Sequence, residues 1–245
     1  MNGEQAGRDR FATGTTIPVT SAVLFDVDGT LIDSNDQHAR AWVASLAEAG
    51  YEVPFERVRP LIGMGGDKVL PELVPGCTED SPEGKAIGEA RKRIFKEREL
   101  GTIPPTRGAR ELLEAVRARG ARIVVATSAK KSELDGLLAR GDLGPLVDVA
   151  ATGDDAQDSK PDPDIIGAAL KKAGIAASDA VMVGDTQYDV EAAHKAGVPC
   201  VALLCGGNDP ATLRDADAVY ADPAELIAAL DQPPFAWSSA VSTAP

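Results

Sequence analysis

The 245-residue chain is long enough for one large domain or for a core with a small accessory domain. Its 44% apolar and 26% charged residues give an ordinary globular balance rather than a disordered or fibrous one. A formal charge of −13 excludes a nucleic-acid backbone as the main partner, but leaves room for a small anion where a local cation reverses the field.

Residues 1–19 are polar, with scattered charges and no apolar stretch of the signal-peptide kind, and predict a flexible N-terminal tail. Five short apolar runs follow: Ala22–Phe25, Arg122–Ala126, Val147–Ala151, Ala180–Val183 and Cys200–Leu204. Near-continuous apolar runs of this length fit strands buried on both faces of a parallel sheet. Between the later runs apolar residues recur at three and four. Ala109, Leu112, Leu113 and Val116 end at Gly120; Leu134, Leu137 and Leu138 end at Gly141; Ile165, Ile166, Ala169, Leu170 and Ala173 end at Gly174. Strand and helix in alternation predict an α/β fold, a doubly wound parallel sheet of the Rossmann-like kind, with right-handed crossovers. Residues 35–106 break the rhythm. They carry helical patterns, such as Ala39, Trp42, Val43, Leu46 and Ala47, and no convincing strand. The expected organisation is an α/β core of 20–34 and 107–231, a helical insert at 35–106, and a flexible C-terminal tail at 232–245. No run is long or apolar enough to span a membrane. The three cysteines, Cys77, Cys200 and Cys205, are odd in number and lack zinc spacing, which suits a reducing, cytoplasmic compartment. Cys200 reads as a small buried hydrophobe.

Ligands of doubly wound sheets bind at the carboxyl ends of the strands. The residues there are Asp26 and Asp28 after the first run, Thr127 and Ser128 after the second, Lys160 beyond the third, and Asp185 and Asp189 after the fourth. In an extended chain Asp26 and Asp28 point the same way, and two adjacent carboxylates repel unless a cation joins them or one is protonated. A hard divalent cation satisfies them, Asp185 supplies a third oxygen, and few carboxylates with water and phosphate oxygens is a magnesium arrangement. Asp189 lies four residues on, hence on the same face once a helix begins. Lys160 is a compact positive charge suited to phosphate and to an ionised Asp26. Ser128 either lends a backbone N–H or begins the next turn.

These residues carry a resemblance. The sequence resembles the haloacid dehalogenase-like superfamily, whose signature is a hydrophobic strand followed by Asp-x-Asp-Gly-Thr, here Leu24 to Leu31. A strand ending in Thr127, the pair Lys160-Pro161, and Gly184-Asp185 with Asp189 match its other three motifs in order. The insert resembles the cap of the subfamily that includes β-phosphoglucomutase and phosphoglycolate phosphatase. The resemblance implies a phosphatase acting on a small phosphorylated metabolite. Asp26 would be its nucleophile, Asp28 its general acid and base, and Thr127, Ser128 and Lys160 would bind the phosphoryl group. Mg2+ would be held by Asp26, the Asp28 carbonyl and Asp185, with Asp189 behind them. A phosphomutase is the alternative, and a non-catalytic phosphate-binding protein the further one. The chain would be a monomer or homodimer. Four residues stay open at this level. Asp67 and Lys68 either select substrate or form a solvated turn, and Arg107 either reaches the substrate or starts a helix at the surface. His38 either touches the site or is simply a helix residue.

Overall fold

The computed structural model of the chain describes residues 19–237. Except for Val19, the expected N-terminal tail lies outside them. Six strands form one parallel sheet: β1 (Ala22–Phe25), β2 (Arg122–Ala126), β3 (Val149–Ala151), β4 (Ala180–Gly184), β5 (Cys200–Leu203) and β6 (Ala218–Tyr220). The spatial order is β3-β2-β1-β4-β5-β6. The chain winds outward from β1 in one direction, returns, and winds outward from β4 in the other. The carboxyl ends of β1 and β4 therefore face the crevice where the order reverses.

The five apolar runs are strands, and the third is shorter than expected. The sixth strand is absent from the sequence reading because it is a three-residue edge, and its Val219 is 41% exposed. An edge strand open on one side has no need of a continuous apolar run. The period of two is plain in β1. Ala22 and Leu24 pack with α7 (Asp164–Ala173) and α8 (Gln187–Lys195), whereas Val23 and Phe25 pack with α5 (Ala109–Ala118), α6 (Lys131–Arg140) and α9 (Pro223–Ala229). The α5 stripe buries Ala109, Leu112, Leu113 and Val116, and each such Leu contributes about 1.5–3 kcal/mol.

Between β1 and β2 the described residues form no named strand. Helices α1 (Asn35–Glu48), α2 (Phe55–Val58), α3 (Gly66–Leu73) and α4 (Pro82–Ile94) share an apolar cluster of their own, with Trp42, Leu46, Val58, Leu70 and Ile87 inside it. Ile94 and Phe95, at the end of α4, join the core beneath the sheet instead. The C-terminal segment departs from expectation. Residues 232–237 are packed, although Pro233 and Pro234 suggested a loose tail, and the rest of the expected tail, 238–245, lies outside the described residues. Phe235 is buried and stacks on Trp237 at 5.5 Å, Trp237 Nε1 donates to the Leu230 carbonyl at 2.6 Å, and Thr20 N donates to the Ala236 carbonyl at 2.6 Å. Two aromatic rings pack against the apolar end of α9. No helix among the described residues is long and apolar enough to cross a membrane.

Candidate active site

Adjacent strands set the first pair of acids. Phe25 of β1 is level with Val183 of β4, so Asp26, one residue on, and Asp185, two residues on, emerge at the same sheet edge with carboxylate oxygens within 4.8 Å of each other. Asp26 is held from behind by its backbone N–H, which donates to the Val183 carbonyl at 2.9 Å. Thr186 then caps α8. Its backbone N–H and hydroxyl donate to Asp189 Oδ2 at 3.0 and 2.6 Å, and its hydroxyl accepts from the Asp189 N–H at 3.2 Å. This reciprocal cap satisfies helix-end donors and fixes the Asp189 carboxylate.

Lys160 sits between the two halves and is fully buried. Its Nζ donates to Asp26 Oδ1 at 2.6 Å and to Asp189 Oδ1 at 2.7 Å. Asp189 thus serves both as a helix cap and as an anchor for the lysine. Asp185 is equally enclosed. Thr30 Oγ1 donates to its Oδ1 at 3.2 Å, while Asn35 Nδ2 and Asn208 Nδ2 donate to its Oδ2 at 2.7 and 3.1 Å. Sequence reading carried Thr30 only as the last residue of the first motif, with no role, and missed Asn35 and Asn208. Asn35 lies close behind that motif and could have been noted, but nothing local marks Asn208.

Glycine is required around Asp185. Gly29 has φ +79°, and a Cβ there would stand 2.3 Å from Asp185 Oδ2. A Cβ on Gly206 would stand 1.8 Å from the same oxygen. Since three side-chain donors pin Asp185, it cannot yield cheaply. Gly206→Ala is therefore expected to destabilise the protein by about 1–3 kcal/mol, read as a lower Tm, and to depress activity with it.

The electrostatics of the acid cluster suit a bound cation. Asp26, Asp185 and Asp189 place carboxylate oxygens within 4.8 Å of one another, all buried. Three carboxylates against the one ammonium of Lys160 leave an excess of two negative charges. Burial, followed by the neighbouring carboxylates, pushes Asp26 well above the usual carboxylate range against the pull of Lys160. Burial and then Asp189 push Asp185 up to about 7. Lys160 is raised despite its burial, because Asp189 and Asp26 hold its proton. Carboxylates raised in this way are the donor set a divalent cation fits, since hard oxygen ligands gain from it what burial denies them.

Asp28 stands apart. Its carboxylate is not in the three-acid cluster, although it shares with Asp26 a cavity of about 70 Å³ that Thr127, Ser128 and His38 also line. Its Oδ1 accepts from Ser34 Oγ at 2.5 Å and lies 2.7 Å from His38 Nε2. Burial works to raise Asp28, but His38, Ser34 and Arg91 outweigh it and its pKa is lowered. His38 is buried and stacked on Phe95 with ring centres 4.1 Å apart, so it is a residue of the site rather than simply of the helix.

Thr127 is buried, and its Oγ1 accepts from the Ala129 N–H at 3.1 Å, which turns the chain at the cavity wall. Ser128 Oγ is buried without a hydrogen-bond partner among the described residues. The cavity opens through Trp42, Gly65, Gly66 and Arg91 into a cleft of about 300 Å³ between the helical insert and the sheet. Asp67 lines that cleft, where its Oδ2 accepts from the Ser159 N–H at 3.4 Å, and Lys68 pairs with Asp162. Arg107 is exposed and pairs with Asp222 at 2.5 Å. His194 is exposed and pairs with Asp217 at 2.9 Å.

Residues 23–203 match the family model for haloacid dehalogenase-like hydrolases. The phosphoglycolate phosphatase of Pseudomonas savastanoi is 33% identical over 192 residues, covering 76% of this chain and 70% of that protein. The phosphorylated carbohydrates phosphatase of Thermotoga maritima is 30% identical over 216 residues, covering 86% of this chain and 98% of that one. A crystal structure of a hydrolase from Pseudomonas syringae superposes with a TM-score of 0.80 at 32% identity, covering 86% of this chain and 98% of that one. With the four motifs gathered at the switch of one parallel sheet, these similarities show that the chain belongs to the haloacid dehalogenase-like hydrolases, among their phosphatases.

Proposed function

We propose that this phosphatase hydrolyses a small phosphorylated metabolite through an aspartyl phosphate on Asp26, with Mg2+ as its metal. The observation that carries the reading is the Asp26 carboxylate itself. One oxygen is held by Lys160, the other has no hydrogen-bond partner among the described residues, and the group lines the cavity. In the first step an Asp26 oxygen attacks phosphorus, the bond from phosphorus to the leaving oxygen breaks, and Asp28 delivers a proton to that oxygen. In the second, water attacks the aspartyl phosphate, Asp28 takes its proton, and the bond to Asp26 breaks to release inorganic phosphate. Lys160 and the donors of Thr127 and Ser128 stabilise the charge on the phosphoryl oxygens.

Asp26 and Asp185 would hold the cation with the Asp28 backbone carbonyl, while Asp189 acts from behind through Lys160. When bound, the cation neutralises the excess charge of the cluster and of the incoming phosphate. The helical insert is proposed as a cap that excludes water during the first step. The relatives suggest phosphoglycolate and phosphorylated carbohydrates as the first substrates to try.

The test is phosphate release from a panel of phosphomonoesters with Mg2+ and with EDTA. Release that depends on Mg2+ is expected, together with at least about a hundredfold loss in EDTA. Undiminished release in EDTA would remove the metal from the reading. No release from any ester would direct the next assay to a phosphomutase, using β-glucose 1-phosphate with a bisphosphate primer.

A further inference from the structure

The cavity around Asp26 and Asp28 has room for a phosphoryl group and little more, so the leaving group of a substrate must lie in the cleft of about 300 Å³ beyond it. Gly65 and Gly66 line both spaces and form the passage between them. Glu79, in the turn between α3 and α4, stands at that passage. A Cβ on Gly66 would run into Glu79 Oε1, and Trp42 Cζ2 stands 3.5 Å from the same point. The carboxylate therefore rests directly on the glycine. Glu79 is exposed, lines the cleft, and has no hydrogen bond or ion pair among the described residues.

Each cation that lines the cleft already has an acid for a neighbour. Arg91 Nη1 donates to the two oxygens of Glu133 at 3.3 and 3.1 Å. Lys130 Nζ donates to the Gly153 carbonyl at 3.2 Å and lies 3.5 Å from Asp154 Oδ1. Lys85 and Lys92 are exposed on α4, and Glu89 lies between them at the spacings that make helix residues neighbours. Against these four cations the cleft sets five acids: Asp67, Glu79, Asp80, Glu89 and Asp158. The formal charge of −13 has the same sign. The charge of the transferring phosphate is met in the cavity, by Lys160 and the proposed cation. A second anion on the leaving group would find no such partner.

We infer that the cleft selects an uncharged, hydroxyl-rich leaving group, the alcohol of a sugar or polyol, and rejects one that carries a carboxylate or a second phosphate, with Glu79 as a specificity-determining residue. An ionised carboxylate can only accept hydrogen bonds, so hydroxyls satisfy Glu79 where another anion would leave both unpaired. Gln157, on the sheet side of the cleft, can both donate and accept, which suits a hydroxyl in either role. Rejection by like charge is a repulsive element, and selectivity is built from such elements as much as from attraction. The inference rests on the reading of the Asp26 centre as the place of hydrolysis. It chooses between the two kinds of ester that the relatives suggest, setting phosphorylated carbohydrates above phosphoglycolate.

Two matched pairs of esters test it: glucitol 6-phosphate against 6-phosphogluconate, and glycerol 3-phosphate against 3-phosphoglycerate. Within each pair only the far carbon differs, as a hydroxymethyl or a carboxylate. With Mg2+, kcat/KM for the alcohol is expected to exceed that for the acid by at least about tenfold in both pairs. Glu79→Lys should move this ratio towards the acid by about tenfold, and Glu79→Gln by about threefold, chiefly through the KM of the acid. Glu79 is exposed, so both variants should melt as the wild type does, and a thermal scan checks this. A kcat/KM for the acids equal to or above that for the alcohols would overturn the inference. So would a ratio that Glu79→Lys leaves within about twofold of the wild type. Should neither ester of a pair turn over, their dissociation constants, read by calorimetry with Mg2+, decide the inference by the same ratios, while the failed turnover counts against the reading of the Asp26 centre alone.

Discussion

Asp26→Asn is expected to abolish phosphate release, lowering turnover by at least about 10³, while leaving Tm unchanged or slightly higher. The two effects separate for a physical reason. Asparagine keeps the volume but offers no carboxylate to attack phosphorus. Stability does not suffer because the ionised Asp26 is itself disfavoured where it stands, pressed by burial and by Asp189, Asp185 and Asp28. Removing one of three clustered carboxylates relieves repulsion and costs one contact to Lys160, which still has Asp189. Phosphate release and a thermal melt on the same preparation check both halves. Retained turnover would remove Asp26 as nucleophile, and a large fall in Tm would show that the Lys160 contact outweighs the repulsion.

Lys160→Met is expected to give the largest stability loss of any single change at the site. The methionine fills similar space, but it leaves Asp26 and Asp189 buried without their shared cation. Removing one partner of a buried ion pair costs about 3–5 kcal/mol. For a domain of this size that is a fall in Tm of about 10 °C. Activity should vanish with it, because the ammonium that orients Asp26 and faces the phosphoryl oxygens is gone. Calorimetry of the variant decides the point. A shift of less than about 2 °C would mean that Asp26 and Asp189 carry no net cost when unpaired, contrary to their burial.

The two predictions depend on neighbours that differ in how visible they are in the sequence. Asp26, Lys160 and Asp185 were legible as candidates because each follows an apolar run, and a parallel sheet collects strand ends on one edge. The dual part played by Asp189 was only half legible. A threonine three residues before an acid is a local capping pattern, but that its second oxygen would hold Lys160 depends on the packing of α8 against the sheet. His38 could not be settled from its own stretch of chain, since a histidine on a helix with an apolar face reads as core. Only the crossing of α1 and α4 puts Phe95 beneath its ring and Arg91 at its edge. Glu133 was passed over for the same reason: it is one charge among many on an amphipathic helix until Arg91 arrives from 42 residues away.

The sequence by itself determined five of the six strands, the α/β class and the polar residues that follow the apolar runs, because buried strands and amphipathic helices write themselves as local periodicities. Only the tertiary structure decided which of those residues meet. The reversal of strand order between β1 and β4 brings Asp26 beside Asp185. The fold then buries the cluster deeply enough to raise Asp26 and Asp185, and places Arg91 of α4 beside His38 of α1 and Glu133 of α6. Contacts between residues far apart in the chain leave no periodic trace, and so they are absent from the sequence and present only in the fold.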